Sequence, residues 1–431
     1  MRKAVLSNRI YLSQCTPDEM AYYADKLKYV IFSKAGTETR KETVNNFVRF
    51  TPTSCSLPSG RLDLVPDDYT IVEKRTILPT NELRFTGTLR PSQQEIYDDF
   101  SDSCLLNAPV SWGKTFTALA MAAKLGQKTL IVTHTTMLRD QWILEIQKVL
   151  GVKAGAIGSG SLDYDAPIVV GNVQTITKQM PLLDDKFGTL VVDEVHHCSA
   201  TTFTNVVNLS KARYKIGLSG TLIRKDGKHV VFNDYFGFKL FKPEKENCML
   251  PQVVIVDTPI RLPNDKHWAN RVTMLEVETP AYSKMIIELA NSAASKGYKV
   301  LIVGSRVEFL KKCSAETPKS ICITGDVKSV EERTRLLAQL STDEIDSIYG
   351  TISIFSEGIS QSALSCLILA TPINNESLLT QLIGRIVREL PGKKQPLILD
   401  INLKGTSTAA QNKGRLAHYL KEGYQVRILK K

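Results

Sequence analysis

From residue 104 onward the chain alternates short, unbroken apolar runs with longer segments whose apolar residues recur every three or four positions. CLLNA (Cys104–Ala108), TLIVT (Thr129–Thr133), PIVVG (Pro167–Gly171), TLVVD (Thr189–Asp193) and KIGLSG (Lys215–Gly220) predict buried strands. Between them, FTALAMAAKLG (Phe116–Gly126) and TTMLRDQWILEIQKVLG (Thr135–Gly151) predict helices, each closing on a glycine that can take the left-handed C-terminal position. Strands alternating with helices in this way form a parallel-sheet α/β domain.

The rhythm pauses over the polar, proline-bounded FKPEKENCMLP, residues 241 to 251, which reads as a linker. It resumes with QVVIVD (Gln252–Asp257), KVLIVGS (Lys299–Ser305), SICITG (Ser320–Gly325), DSIYG (Asp346–Gly350), CLILATP (Cys366–Pro372) and PLILDI (Pro396–Ile401). Two tandem α/β domains are expected, spanning 87–243 and 244–403. Residues 1–86 fit neither: AYYADKLKYVIFSK (Ala21–Lys34) looks helical and SLPSGRLDLVPDDY (Ser56–Tyr69) is turn-rich, so a small α+β accessory domain, a candidate DNA-binding domain, is assigned there. The tail 404–431 carries seven Lys and Arg, among them Lys413 and Arg415, against the single acid Glu422, and reads as a basic C-terminal extension, either a nucleic-acid face or a solvated helix.

Composition sharpens this picture without changing it. With 431 residues, 43% hydrophobic and 23% charged, the chain has the balance of a packed globular protein. Its formal charge of +11 points to a polyanionic partner, because clustered Lys and Arg displace counterions from nucleic acid. No apolar run reaches the roughly eighteen residues of a membrane-spanning helix, and the opening MRKAVLSNRIYLSQ has no signal-peptide apolar region, so no membrane attachment is expected. Eight scattered cysteines without a Cys-x-x-Cys pair read as reduced core thiols of a cytoplasmic protein.

The candidate chemistry centres on APVSWGKT, Ala108–Thr115. It lies between a predicted strand and a predicted helix, where backbone N–H groups at a helix N-terminus converge on an anion. Gly113 closes the loop, Lys114 would neutralise the outer phosphates of a nucleotide, and Thr115 would offer its hydroxyl to Mg²⁺. Trp112 occupies a place where such loops usually hold a small residue, and its indole is expected to pack beside the loop, leaving the phosphate cradle open. Downstream, TLVV delivers Asp193 and Glu194 at a strand end. Phosphoryl transfer to water needs one carboxylate for the metal and another group for the water, roles that fall to Asp193 and Glu194. A zinc site from Asp193, His196, His197 and Cys198 is disfavoured, since these ligands lack the usual spaced pairs. In QLIGRIVRE, Gln381, Arg385 and Arg388 fall at four- and three-residue spacing, so on a helix they share a face able to clamp phosphate oxygens.

Taken in order, these segments resemble the superfamily 2 nucleic-acid helicases and translocases over nearly all of residues 85–403. LRPSQ (Leu89–Gln93) resembles the adenine-reading Q motif, APVSWGKT motif I, VTHTTMLRDQW motif Ia and DEVH (Asp193–His196) motif II. SGT (Ser219–Thr221) stands at motif III, FSEGIS (Phe355–Ser360) at motif V and QLIGRIVR at motif VI. The resemblance implies two RecA-like domains that bind ATP and Mg²⁺ between them. It places Phe85, Arg90 and Gln93 at the adenine, Ala108 and Gly358 in the nucleotide-binding motifs, and Arg385 and Arg388 as arginine fingers. His196, Ser219 and Thr221 would couple closure to movement. Nucleic-acid contacts, mostly to phosphates, would come from Thr133, Arg139, Asn172, Gln174, Thr175, Arg224, Ser305, Arg306, Gly325 and Thr351.

Two branches of the superfamily look nearest. SGTLIRKDGK (Ser219–Lys228) is similar to the segment that carries an Arg-Glu-Asp element in XPB-like helicases, with Lys225 replacing the middle acid. The compact length, the N-terminal SNRIYL and the basic tail resemble the UvsW-type phage helicases, which implies branch migration and fork regression on branched or forked DNA, in recombination, repair or replication. Motif V departs from its pattern in having Ser360 where an Asp is usual. The alternatives are an RNA-directed helicase and a non-catalytic nucleic-acid scaffold that retains the motor fold. Oligomeric state is left open.

Overall fold

The structure is a computed structural model, and it describes residues 2–35, 38–195, 200–220, 228–327, 329–356 and 361–430. The chain divides into two compact units, Met1–Lys245 and Glu246–Lys431, with the division inside the expected linker.

The first unit holds an eight-stranded sheet in the order Ser161–Leu162, Gly155–Gly158, Ile168–Asn172, Thr129–Thr133, Thr189–Val192, Tyr214–Ser219, Cys104–Asn107, Leu240–Phe241. All five strands expected from apolar runs are present, parallel to their neighbours and almost wholly buried. Burial on both faces is what turns a strand into a continuous apolar run. The two expected helices form over Lys114–Leu125 and Thr136–Leu150, ending at Gly126 (φ 58°) and Gly151 (φ 69°), both left-handed. Gly155–Gly158 is half glycine and forms no apolar run, and the edge strands Ser161–Leu162 and Leu240–Phe241 are too short to carry a periodic signal.

The N-terminal region builds a separate five-stranded sheet, flanked by the helix Pro17–Lys26, whose Thr16 and Glu19 form a reciprocal capping box. The helix expected across Ala21–Lys34 stops at Lys26; Lys28–Ala35 is instead a strand paired with Glu38–Asn45, its residues Tyr29 and Val44 packed on the first domain's core. The accessory region also ends earlier than residue 86. Thr76 pairs with Ala212, Pro79 with Gln127, and Leu83 lies in the core cluster of the first α/β domain.

The second unit is a seven-stranded parallel sheet, ordered Ser320–Ile323, Ser347–Thr351, Val300–Gly304, Cys366–Leu369, Leu397–Lys404, Gln252–Arg261, Gln425–Lys430. All six expected strands are there. The seventh corrects the reading of the tail: residues 404–430 are no appended extension, because Gln425–Lys430 pairs alongside Gln252–Asp257 and the helix Thr406–Lys421 packs on the sheet. Arg415 is 4% exposed and donates from Nε to both oxygens of buried Asp400, at 3.0 and 2.8 Å, so it is a core residue rather than a solvated one. None of the seven cysteines among the described residues is in a disulfide; five are buried, and Cys248 and Cys322 are half-buried.

Candidate nucleotide and nucleic-acid site

The buried strand Cys104–Asn107 delivers the chain into a loop that turns through two left-handed positions, Ser111 (φ 71°) and Gly113 (φ 96°), before the helix begins at Lys114. Gly113 is required twice over: its φ suits glycine, and a Cβ there would lie 2.7 Å from Gln93 Nε2. Gln93 Nε2 donates to the Trp112 carbonyl at 3.0 Å, Arg90 donates to the same carbonyl through its guanidinium, and the Gln93 Oε1 accepts from the Arg90 backbone N–H at 3.0 Å. Gln93 is 2% exposed, so its amide braces the loop instead of standing open toward an adenine. Phe85 is half-buried, edge-on to Phe116 of the loop's helix at 5.0 Å between ring centres. Trp112, 1% exposed, sits in the domain core beneath the loop, and Ala108 is wholly buried.

Strand Thr189–Val192 then places the two acids. Asp193 Oδ2 accepts from the indole Nε1 of Trp142 at 2.8 Å, and Oδ1 accepts from the Glu194 backbone N–H at 2.9 Å. Burial, followed by the charge of Glu194, pushes the Asp193 carboxyl up to about 6. Glu194 adopts a left-handed backbone (φ 46°), uncommon for a residue with a side chain. Its Oε1 pairs with Lys114 Nζ at 3.0 Å, and its Oε2 accepts from the Gly220 backbone N–H at 3.4 Å. The parallel pairing of Ser219 with Asn107, with the Ala108 N–H donating to the Ser219 carbonyl, brings the ends of motifs I and III side by side. Lys114, Thr115, Asp193, Glu194 and Ser219 are thereby gathered at the C-terminal ends of adjacent parallel strands, where open α/β sheets bind ligands.

The donor set suits Mg²⁺. A hydroxyl on Thr115 and the carboxylate of Asp193 are hard oxygen ligands of the kind this ion takes. Among the described residues no group of three or more His, Cys, Asp or Glu could cage a metal unaided. His196, Thr221, Arg224 and Gly358 lie outside the described residues, as do His197 and Cys198 of the disfavoured zinc set.

A second cluster forms at the C-terminal ends of neighbouring strands in the same sheet. Thr133 and Asn172 are paired in register; Asn172 caps the next helix, accepting from the backbone N–H of exposed Gln174 at 3.3 Å. A Cβ on Gly158 would meet Arg139 Nη1 at 3.2 Å, Thr175 Oγ1 at 3.5 Å and Asn172 Cβ at 3.6 Å, so these side chains surround one glycine.

In the second unit the expectations need correction. The helix Glu376–Ile383 carries Gln381 but ends at Gly384; Arg385 lies in a turn and Arg388 in an isolated bridge with Cys248. The three therefore do not share a helical face. The helix stops because the following residues pair with residues 247–249: Met249 N–H donates to the Val387 carbonyl at 2.8 Å and Glu389 N–H to the Asn247 carbonyl at 3.2 Å. Arg385 donates to the carbonyls of Phe355 (2.8 Å) and Ser356 (2.6 Å), tying motif VI to motif V. Ser305 and Arg306 are likewise engaged internally. Their backbone N–H groups donate to Glu276 at 3.2 and 2.8 Å, while the Arg306 guanidinium binds Thr273 Oγ1 and the Ala269 carbonyl. Gly325 is exposed with open space around it, and Thr351 ends its strand half-buried. Sequence reasoning missed Trp142 and Glu276; the spacing of Trp142 three residues after Arg139 was the available signal for the first, and nothing local marked the second.

Residues 86–224 match the family described as type III restriction enzyme, res subunit, and residues 281–389 the helicase conserved C-terminal domain. A probable helicase, D10 of Escherichia phage T5, is 38% identical over 442 residues, covering 98% of this chain and 95% of that protein. The chain belongs to the superfamily 2 helicases of the UvsW/XPB type. The helicase is also similar to the ATP-dependent DNA helicase uvsW of Enterobacteria phage T4, at 24% identity over 69% of this chain and 64% of that one. The DNA 3'-5' helicase XPB of Kineococcus radiotolerans is 24% identical, over 79% of this chain and 64% of its own. Among solved structures, the helicase MrfA bound to DNA superposes with a TM-score of 0.59 at 12% identity, over 82% of this chain and 53% of that one. Saccharomyces cerevisiae Dbp5 bound to RNA and ADP BeF3 gives 0.57 at 12%, over 79% and 89%. The two parallel sheets are the tandem RecA-like domains of this superfamily, and the helicase is an ATP-dependent enzyme acting on nucleic acid. Among the described residues no helix is long and apolar enough to cross a membrane.

Proposed function

We propose that this helicase couples ATP hydrolysis to movement on DNA and remodels branched duplexes by branch migration and fork regression. The observation that carries the catalytic half of this reading is the Lys114–Glu194 ion pair beside buried Asp193. Arrival of a nucleotide offers Lys114 phosphate oxygens in place of Glu194, and the released carboxylate becomes the acceptor for a proton from the attacking water. Thr115 and Asp193 are the residues that would hold Mg²⁺, which when bound offsets the charge of the phosphates. Arg385 and Arg388 stay the candidate arginine fingers; within the second unit Arg385 is held by its bonds to the Phe355 and Ser356 carbonyls.

On the nucleic-acid side Arg139, Asn172 and Thr175, which cluster about Gly158, and exposed Gln174 would form a phosphate-tracking surface, with Thr133 buried behind it and paired in register with Asn172. In the second domain Gly325 and Thr351 remain candidates; Arg306 acts through the helix it braces. The N-terminal sheet is proposed as the accessory DNA-binding domain. The branched-DNA role rests on likeness to uvsW, and the DNA preference on that and on XPB. A second reading, an RNA-directed motor, is favoured by 27% identity to a putative ATP-dependent RNA helicase, L396, of Acanthamoeba polyphaga mimivirus.

The deciding experiment compares ATP hydrolysis and product formation on a synthetic four-way junction, a partial duplex and a structured RNA. Conversion of the junction to two duplexes supports branch migration; activity confined to the partial duplex overturns it; stimulation by RNA alone moves the assignment to the second reading.

A further inference from the structure

We propose that Trp142 is a positioning residue for the nucleotide site: its indole N–H holds the Asp193 carboxylate from the helix that also presents Arg139 to nucleic acid. This rests on the reading of Asp193 as a metal-holding carboxylate and of Arg139 as a phosphate contact.

The geometry is specific. Trp142 is 2% exposed, and its Nε1 donates to Asp193 Oδ2 at 2.8 Å while the other oxygen, Oδ1, is held by the Glu194 N–H. Each carboxylate oxygen keeps a further lone pair, so the two donors set the plane of the group without closing it to an ion. Core packing alone does not demand this bond. The other fully buried tryptophan, Trp112, lies in the same core cluster, and its Nε1 has no hydrogen-bond partner among the described residues. Of two buried indoles in one core, the one that finds an acceptor finds the carboxylate of motif II.

Trp142 also stands three residues after Arg139 on the helix Thr136–Leu150, so the two project from one side, one turn apart. The Arg139 guanidinium is ion-paired with Asp140 through Nε and Nη2, at 2.8 and 2.6 Å, while its Nη1 is buried without a hydrogen-bond partner among the described residues, 3.2 Å from the Cβ position of Gly158 and near Thr175. A phosphate that engages this guanidinium pulls on a rigid element whose next turn grips Asp193. Nucleic-acid contact and metal coordination are thereby joined through one helix, with no loop between them.

The test measures equilibrium binding of a fluorescent, non-hydrolysable ATP analogue to the full chain, with Mg²⁺ and with EDTA, for the wild type and Trp142→Phe. The wild type should bind more tightly with Mg²⁺. In W142F that enhancement should fall by about tenfold, the usual scale for losing a bond behind a metal ligand, while affinity in EDTA stays unchanged. An enhancement equal to the wild type overturns the proposal. So does an equal loss with and without the metal, which is the signature of a merely structural role. Should W142F fail to fold, benzothienylalanine at position 142 keeps the bicyclic shape and lacks the N–H, and the same two outcomes apply. A wild type that binds no nucleotide in either condition overturns the site reading itself, and the proposal with it. In the same variants, DNA stimulation of turnover should fall further than DNA-independent turnover.

Discussion

Lys114 and Glu194, in the proposed nucleotide site, are each other's charge partners. The ammonium and carboxylate neutralise each other at 3.0 Å with 13% and 18% of their side chains exposed, and the same Glu194 is oriented by the Gly220 N–H. In the proposed mechanism Glu194→Gln keeps the shape and removes the proton acceptor, so nucleic-acid-stimulated turnover should drop roughly 10²- to 10³-fold while nucleotide binding persists; a phosphate-release assay beside a binding titration reads both. Lys114→Ala should lose binding as well, since the phosphates then face Glu194 without compensating charge. Lys215 makes a prediction about pH. It is buried with its Nζ donating to Ser59 Oγ and to the Val207 carbonyl, both at 2.9 Å, and burial, with Arg75 and Arg9 adding like charge, lowers its pKa to about 7. The unfolded chain holds this proton up to the ordinary lysine range, so its burial costs most below pH 7, and the cost is relieved as pH rises from 7 toward 10. The wild type should gain stability relative to Lys215→Met across that window, by a few kcal/mol at most, roughly 1.4 per unit; a pH-independent difference in thermal midpoint would contradict this.

At the scale of elements, the buried strands were legible in the sequence because a strand covered on both faces has no reason to alternate. Both helices closed on their glycines for the same local reason, the left-handed position after the last turn. Motif VI misled because four- and three-residue spacing is necessary for a shared helical face and not sufficient: Gly384 and the pairing of residues 387 and 389 with 247 and 249 end the helix first. The tail misled in the opposite direction. Its charge suggested solvent, yet Arg415 has a buried partner 15 positions earlier, and Tyr419 donates to the same Asp400 at 3.0 Å. Arg415→Met should therefore destabilise the second domain by about 3–5 kcal/mol, because it strands a buried carboxylate. Denaturant unfolding measures this, and limited proteolysis should release the C-terminal strand first.

At the scale of the molecule, one buried acid of the first motor domain gathers several bonds from the N-terminal region. Asp234 accepts from Tyr29 at 2.7 Å, Asn46 at 2.7 Å and Arg61 at 3.2 Å, while the Gly60 N–H donates to its carbonyl at 2.8 Å. Gly60 is obligatory there, since a Cβ would lie 2.6 Å from the Asn233 carbonyl oxygen. Asp234→Ala leaves three donors without an acceptor and should cost about 1–3 kcal/mol for each that stays dry, seen as an earlier thermal transition of the first unit with turnover by folded enzyme little changed. A Tm equal to the wild type would mean that the other contacts, the Lys215–Ser59 bond among them, hold the N-terminal region without Asp234.

The sequence alone determined the parallel α/β architecture and the two-unit division, and it named the candidate cast of the site, Lys114, Thr115, Asp193 and Glu194. These follow from local rules, burial on both faces of a strand and phosphate chemistry at a strand-to-helix turn, that act over a few neighbouring residues. Only the tertiary structure decided which groups restrain that cast. Trp142 on Asp193, Gln93 on the Trp112 carbonyl, Glu276 on Ser305 and Arg306, and Arg415 on Asp400 join segments 15 to 51 positions apart. No periodicity reaches so far, because such pairings depend on where separate elements end once the sheets have packed.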